Sequence, residues 1–249
     1  MIRVRGLRKE YAGGTLALAG VDLDVGAGEF VALIGPSGAG KSSLLRCLNG
    51  LVPATAGEVA VDGRSVTGSA GEDLRRIRAR IGFVFQQFNL LRRLSVLDNV
   101  LIGRLGHVPV GRSLTGWFPA ADVAKAEATL ARVELAGLGG RRADTLSGGQ
   151  QQRVAIARAL VQEPRVLLAD EPMASLDPAL SRTVMEILRR INREDGLTVL
   201  ASLHVLEMAR EYARRVVGLS AGRVVYDGPI EGLTDEAAGR IFGAAERPS

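Results

Sequence analysis

A run of small residues that ends in lysine and serine carries the clearest chemistry in this sequence. The run reads Gly35, Pro36, Ser37, Gly38, Ala39, Gly40, Lys41, Ser42 and Ser43. Small residues let successive backbone N–H groups wrap a phosphate, and the dipole of a following helix favours the negative charge. In such a loop the lysine bridges phosphate oxygens and the serine ligates Mg²⁺. The apolar stretch 29–34 predicts a strand before the run and a helix is predicted from Lys41, so we expect a P-loop that binds ATP or GTP.

Two carboxylates follow a second apolar stretch. Asp170 and Glu171 come directly after Val166, Leu167, Leu168 and Ala169. Ligands of open α/β sheets bind at the carboxyl ends of the strands, and we expect this strand to lie beside the P-loop strand. Asp170 is predicted to hold Mg²⁺, and Glu171 to orient and deprotonate an attacking water. The alternative is that both acids only cap the next helix.

A second glycine-rich turn, Leu146-Ser147-Gly148-Gly149-Gln150, opens another helix. It follows a segment of helical patterning that carries it away from the P-loop, so one subunit could hardly close both loops on one nucleotide. We therefore predict that the nucleotide is shared with another copy of the chain or with a close relative.

This turn, upstream of Asp170 and Glu171, resembles the signature of the ATP-binding cassette (ABC) family. The resemblance implies that the turn, through Ser147 and Gly149 above all, meets the γ-phosphate of an ATP held by the P-loop of the opposite subunit. Ser175-Leu176-Asp177 resembles the D-loop that crosses the dimer interface. The family's pattern thus implies a homodimer in which these residues act on the partner's nucleotide: Ser147, Gly148, Gly149, Gln150 and Asp177.

Three further positions resemble functional residues of the family. Tyr11 resembles the aromatic residue that stacks on adenine, with simple strand packing as the alternative. Gln86 resembles the Q-loop glutamine that touches Mg²⁺ or water and senses a membrane partner, although the adjacent Gln87 leaves the register open. His204 resembles the switch histidine that contacts the γ-phosphate, with a structural histidine as the alternative. The resemblance implies a catalytic set of Lys41, Gln86, Glu171 and His204, and Mg²⁺ ligands Ser42, Gln86 and Asp170.

The elements that position these residues alternate between strand and helix. Alternation with fully apolar strands predicts an α/β fold with a mostly parallel sheet covered on both faces. We expect one ABC-type domain over 1–249, with a P-loop NTPase core at 1–88 and 150–228 that has antiparallel strands on its N-terminal side. An inserted α-helical subdomain is expected at 89–149 and a short extension at 229–249. Helices are expected to start after Gln150 and at His204, with an irregular break at 106–119 and a loose tail at 246–249.

Composition narrows the class of protein. The chain has 249 residues, 47% hydrophobic and 24% charged, with a net charge of +5. The arginines are scattered and aromatic residues are only 4%, which argues against nucleic acid as a partner. No apolar run approaches the roughly 20 residues of a membrane span, so we expect a soluble, cytoplasmic chain. The single cysteine, Cys47, lies in an apolar helical stretch and is expected to be a packed thiol.

Within the ABC family, several stretches resemble the ATP-binding subunit of phosphonate importers. They are the segment 88–106, Arg112-Ser113-Leu114, Trp117-Phe118, the segment 142–145, the segment 174–178 and Ser202-Leu203-His204. Departures from that pattern are Ser43, Met173 and Ala201. The resemblance implies import through a separate membrane permease and an extracytoplasmic binding protein, with this chain at the cytoplasmic face of the cell membrane.

No residue of this sequence is expected to bind the cargo, so alternatives for the cargo stay open. Phosphate, phosphite and polar amino acids are the other cargoes, because importers of polar amino acids share much of the segment 86–90. A soluble ABC ATPase that acts on DNA or ribosomes is the alternative from another class. The long coiled coil or second cassette of such proteins has no counterpart in this sequence.

Overall fold

A six-stranded sheet forms the centre of the computed structural model, which describes residues 1–107 and 118–243. Its strand order is β10-β9-β3-β8-β7-β6. All pairings are parallel except that of β10 with β9. The strands are β3 Phe30–Ile34, β6 Ile81–Val84, β7 Val166–Ala169, β8 Thr198–Leu203, β9 Arg215–Ser220 and β10 Arg223–Pro229. The prediction of a mostly parallel α/β core is confirmed, while 112–114, Trp117 and the tail at 246–249 lie outside the described residues.

A four-stranded antiparallel sheet stands on the N-terminal side, as the sequence predicted. Its order is β2-β1-β4-β5. Its strands are β1 Ile2–Glu10, β2 Leu16–Val25, β4 Ala56–Val61 and β5 Arg64–Ser65. β1 alternates buried and exposed residues over most of its length, as expected of a strand with one face on the core.

Helices cover the central sheet. They are α1 Lys41–Leu48, α2 Gly71–Arg78, α3 Val96–Leu101, α4 Ala120–Arg132, α5 Gly148–Leu160, α6 Pro178–Asp195, α7 Leu206–Tyr212 and α8 Asp235–Phe242. Short 3-10 turns lie at Ile102–Gly106, Ala143–Thr145 and Ile230–Gly232. No helix within 1–107 or 118–243 is long and apolar enough to cross a membrane.

The two faces of the central sheet carry two separate cores. Along β3, Phe30, Ala32 and Ile34 pack with buried residues of α3 to α8. Val31 and Leu33 point to the other face, where they pack with α1 and the antiparallel sheet. Because successive side chains of a strand alternate between faces, a fully apolar strand such as β3 serves both cores.

Two predicted helix starts were wrong. The helix expected after Gln150 starts at Gly148, because the Ser147 hydroxyl accepts the Gln150 N–H and the Gln150 side chain accepts the Ser147 N–H, a reciprocal cap. The helix expected from His204 starts at Leu206, since β8 continues as far as Leu203 and leaves His204 in the turn.

A buried ion pair ties the 3-10 turn after α3 to α4. The Arg104 guanidinium donates from Nε to Asp122 at 2.8 Å and from Nη1 to the Val161 carbonyl at 3.0 Å. Both side chains of the pair are largely buried. Buried charges are tolerated when they are paired and hydrogen-bonded, so this contact fixes the position of α4 relative to the end of α5.

Candidate active site

The P-loop joins β3 to α1 and has a conformation that its glycines permit. Gly40 has φ 104°, and a Cβ there would lie 2.4 Å from the Ala17 carbonyl oxygen. A side chain at this position would therefore push the loop off β2. The Lys41 ammonium is buried and donates to the carbonyls of Gly35 at 2.7 Å and Pro36 at 3.0 Å. The loop thus holds a buried cation at the N-terminus of α1.

Asp170 lies at the carboxyl end of β7 and is fully buried. Its Oδ1 accepts from the Ser42 hydroxyl at 2.8 Å and from the Ser202 hydroxyl at 3.2 Å. The expectation that β7 adjoins the P-loop strand was wrong, because β8 lies between β3 and β7. Ser42 nevertheless reaches Asp170 from the first turn of α1.

The second oxygen of Asp170 has no hydrogen-bond partner among the described residues. The Arg46 guanidinium lies near it, with Nη2 3.8 Å from Oδ2. A buried carboxylate oxygen without a donor is costly, and hard cations such as Mg²⁺ favour oxygen ligands of this kind. The Ser42 hydroxyl and the Asp170 carboxylate therefore fit a magnesium site. Within the described residues, no cluster of three or more His, Cys, Asp or Glu side chains could hold a metal on its own.

Glu171 adopts a left-handed backbone conformation with φ 50°. Its N–H donates to the Ser202 hydroxyl at 2.8 Å. Its carboxylate contacts Nε2 of His204. Left-handed conformations are uncommon for residues with a Cβ and concentrate at functional sites. Ser202 thus contacts both predicted acids, one through its carboxylate and the other through its backbone.

A cleft of about 420 Å³ brings most of the predicted residues together. Gln86 lines it and Gln87 does not, which favours Gln86 at the position that the sequence left open. Gly35 and Pro36 stand behind it and contact Lys41 through their carbonyls. Its lining consists of Tyr11, Thr15, Ala17, Ser37, Gly38, Ala39, Gly40, Lys41, Ser42, Ser43, Gln86, Glu171 and His204.

Three residues near the cleft were not found from the sequence. Thr15, directly before β2, and Ala17, at the start of β2, line it, and Ser202 lies behind it on β8. Thr15 and Ala17 belong to no contiguous motif, and Ser202 appeared only within the stretch Ser202-Leu203-His204, with no role of its own. Tyr11 is half-buried beside them, and its hydroxyl lies 3.1 Å from that of Ser43.

The second glycine-rich turn does not line this cleft. Ser147 is exposed at the start of α5. Gly149 packs against α6, where an added Cβ would lie 2.9 Å from the side-chain methyls of Leu180. Asp177 is exposed and caps α6, with Oδ1 accepting from the N–H groups of Ala179 and Leu180 at 3.0 Å. The structure therefore separates this set from the P-loop of its own chain.

A larger cleft, of about 690 Å³, lies at the opposite ends of the strands and contains none of the predicted site residues. Its lining includes both arginines and glutamates, among them Arg193, Arg210, Glu211 and Glu231. Mixed charge of this kind favours no single ligand class. The smaller cleft, with its P-loop and converging acids, carries the chemistry.

A P-loop NTPase core with a nucleotide cleft at the carboxyl ends of its strands defines the class of this protein. Residues 18–174 match the ABC transporter family model. The chain therefore belongs to the ABC transporter family, and it is an ATP-binding ATPase of that family.

Relatives and solved structures extend this result. The chain is 51% identical to the phosphonates import ATP-binding protein PhnC of Shouchella clausii, over 98% of this chain and 91% of the relative. It is 50% identical to PhnC 1 of Rhodopseudomonas palustris, over 98% and 87% of the two chains. The dimeric structure of MJ0796, a bacterial ABC transporter cassette, superposes with a TM-score of 0.83 at 36% identity, covering 93% of this chain and all of that one. A post-hydrolysis dimer of MJ0796 bound to ADP and Pi superposes with a TM-score of 0.81.

Proposed function

We propose that this chain is the ATP-hydrolysing subunit of an ABC importer that takes up phosphonates. The convergence of Lys41, Ser42, Gln86, Glu171 and His204 on one cleft is the observation that carries the ATP chemistry. The cargo is supported by relatives named as phosphonate import ATP-binding proteins, 47 to 51% identical over almost the whole chain. No residue of the cleft selects a phosphonate, so the permease and binding protein would do so.

Lys41 and the backbone N–H groups of the P-loop would bind the phosphates of ATP. The Lys41 ammonium, which donates to two carbonyls of the loop, would exchange these contacts for phosphate oxygens. Glu171 would take the proton of the attacking water, and His204 would orient the γ-phosphate beside it. Tyr11 would stack on the adenine ring at the edge of the cleft, and Gln86 would bind water or the metal.

Ser42, Gln86 and Asp170 would hold Mg²⁺. The unbonded Oδ2 of Asp170 and the adjacent Ser42 hydroxyl provide oxygen ligands, and Gln86 lines the same cleft. When bound, the metal would neutralise charge on the β- and γ-phosphates.

Two copies of the chain would close around two ATP molecules. Ser147, Gly148, Gly149, Gln150 and Asp177 lie outside the cleft of their own chain, and Ser147 and Asp177 are exposed. The N-terminus of α5 favours an anion, so the turn would bind the γ-phosphate held by the partner's P-loop. Hydrolysis would remove that bridge and let the dimer open. The dimeric form of the MJ0796 cassette supports this arrangement.

An exposed apolar patch follows Gln86 and would contact the permease. Leu91 is 53% exposed and Leu94 is 40% exposed, with Arg92 and Arg93 between them. The Arg158 guanidinium donates to the carbonyls of Phe88 and Asn89 and so ties the start of this segment to α5. Exposed apolar side chains rimmed by charge are typical of protein interfaces. The chain would thus sit at the cytoplasmic face of the membrane, and an extracytoplasmic binding protein would deliver the cargo to the permease.

Reconstitution tests the cargo. The chain would be purified with the permease and binding protein of the proposed importer and placed in liposomes with 2-aminoethylphosphonate, phosphate, phosphite or glutamine on the binding-protein side. We expect phosphonate to stimulate ATP hydrolysis and to accumulate on the side where ATP is hydrolysed, and the Glu171→Gln complex to do neither. Stimulation by phosphate, phosphite or glutamine but not by phosphonate would contradict the proposed cargo while leaving the ATPase assignment intact.

A further inference from the structure

A buried glutamine connects the helix of the second glycine-rich turn to the residue after Glu171. Gln152 lies in the first turns of α5 and is 1% exposed. Its Nε2 donates to the carbonyl of Pro172 at 2.7 Å. Pro172 directly follows Glu171, so this bond joins α5 to the backbone that carries the carboxylate.

The two polar atoms of the Gln152 side chain differ, because Nε2 donates to Pro172 and Oε1 has no such bond within residues 1–107 and 118–243. Its Oε1 is buried and accepts no hydrogen bond within the described part of the chain. Burying an amide that is only half satisfied is costly, and an apolar side chain of the same volume would fill the space without that cost. The bond that the amide donates to Pro172 therefore explains why a glutamine, and not an apolar residue, occupies this position.

Glu171 is held on its other side as well. Its N–H donates to the Ser202 hydroxyl, and its carbonyl accepts the Ala174 N–H at 3.0 Å. Its left-handed backbone is a conformation that a residue with a Cβ keeps only when the surroundings enforce it. Ser202, on β8, thus holds the backbone N–H of Glu171, and Gln152, on α5, holds the carbonyl of the next residue, Pro172.

We propose that Gln152 is a positioning residue for Glu171. By holding the Pro172 carbonyl, it sets the backbone conformation that aims the Glu171 carboxylate into the cleft beside His204. The bond also makes the position of Glu171 depend on that of α5, the helix whose N-terminal turn would contact the partner's ATP. When the partner's ATP contacts the N-terminal turn of α5, the Glu171 carboxylate of the same chain would therefore be held in the position for hydrolysis. This inference rests on the proposed role of Glu171 as the base.

The first test compares two full-length variants that each remove one amide donor. Gln152→Met keeps the volume and loses the bond to Pro172. Asn192→Leu is the matched control, because the Asn192 amide donates to the carbonyls of Gly28 and Leu197 at the far ends of the strands. We expect kcat of Gln152→Met to fall roughly 10- to 100-fold with KM for ATP within about twofold of wild type, and kcat of Asn192→Leu to stay within about twofold. A wild-type kcat for Gln152→Met would overturn the inference.

A double-mutant cycle separates positioning from a general structural role. In the Glu171→Gln background, Gln152→Met should not reduce the residual single-turnover rate further, because it acts through the carboxylate that is already missing. A further fall equal to that seen in the wild-type background would overturn the inference. A wild-type rate for Glu171→Gln alone would instead overturn the role of Glu171, and the inference with it.

A second variant covers the case in which Gln152→Met does not fold. Gln152→Asn keeps the amide but is one methylene too short to reach Pro172. Hydrogen exchange of the Ala174 and Leu176 amides, which bond to the carbonyls of Glu171 and Met173, reports on the local backbone. We expect exchange at both amides to be about tenfold faster than in wild type, with the Asn192→Leu control unchanged there. Unchanged exchange in Gln152→Asn would overturn the inference.

Discussion

The imidazole Nε2 of His204 contacts the carboxylate of Glu171 at the rim of the nucleotide cleft. The two residues come from different strand ends, β8 and β7, which are parallel neighbours in the sheet. Because these strands run in register, the turns that follow them meet at one edge. This strand pairing places Glu171, the proposed base, in direct contact with His204, the residue proposed to bind the γ-phosphate.

Replacing His204 should slow hydrolysis with little effect on ATP binding. His204→Ala removes the partner of the Glu171 carboxylate and a γ-phosphate contact, so we expect kcat to fall roughly 10²-fold and KM to change by less than about threefold. Steady-state ATPase assays check this. The exposed neighbour Val205 supplies the control, since Val205→Ala should leave the rate unchanged; equal effects of the two substitutions would contradict the role of His204.

Asp170→Asn should raise the Mg²⁺ requirement. The amide oxygen can still accept from Ser42 and Ser202, but the negative charge is lost. We expect half-maximal hydrolysis to need about tenfold more Mg²⁺ or higher, with binding of metal-free ATP no weaker than in wild type. Mg²⁺ titrations with a fluorescent ATP analogue measure both. Asp73→Asn, on exposed α2, is the control, and a wild-type Mg²⁺ curve for Asp170→Asn would argue against the metal site.

Breaking the Arg104 ion pair should destabilise the fold. Asp122→Ala removes the carboxylate that faces a largely buried guanidinium, which within 1–107 and 118–243 keeps the Val161 carbonyl and Glu163 as partners, so we expect a loss of about 2–4 kcal/mol in the free energy of unfolding. Urea denaturation measures this. Glu72→Gln, which removes exposed pairs with Arg75 and Arg76, should cost less than about 1 kcal/mol. Similar losses for both would contradict the burial argument.

Cys47 should be inert in the folded chain. Burial raises the pKa of its thiol to about 11. Little thiolate therefore exists near neutral pH, and the thiolate is the form that reacts. We expect a maleimide to label the urea-unfolded chain at least 100-fold faster than the native chain at pH 7.5. Because the folded pKa is raised, this thiol should favour folding below about pH 8.5, and the benefit should fade as the pH approaches 11. Fast labelling of Cys47 in the native chain would contradict the burial of its thiol.

Contiguous motifs made much of the site predictable. The P-loop residues lie next to one another in the chain, so their order alone sets their geometry around Lys41. Asp170 and Glu171 follow a strand whose residues are all apolar, which marks their place at the edge of the sheet. The same holds for β3 and β7 of the central sheet, whose buried residues form uninterrupted apolar runs in the sequence.

Contacts between separate strands and helices were not predictable in the same way. Ser202 reaches Asp170 because β7 and β8 pair in one register, and Gln152 reaches Pro172 because α5 packs over the loop after β7. No local pattern encodes either alignment. The start of α5 was misplaced because the reciprocal cap between Ser147 and Gln150 was not recognised. Strand order likewise depends on packing, which is why β8 was not expected between β3 and β7.

The proposal that two chains share each ATP is tested most directly by the oligomeric state of Glu171→Gln. Size-exclusion chromatography with light scattering would be run with ATP and Mg²⁺ on this variant and on the double variant with Ser147→Arg, which fills the N-terminus of α5. Thr234→Arg is the matched control, because Thr234 also caps a helix by accepting the Ala237 N–H.

We predict that Glu171→Gln forms ATP-dependent dimers and that adding Thr234→Arg preserves them. Adding Ser147→Arg should leave the chain monomeric while it still binds ATP within about threefold of the affinity of Glu171→Gln alone. A monomeric Glu171→Gln with ATP bound, or dimers that Ser147→Arg does not weaken, would contradict the shared site.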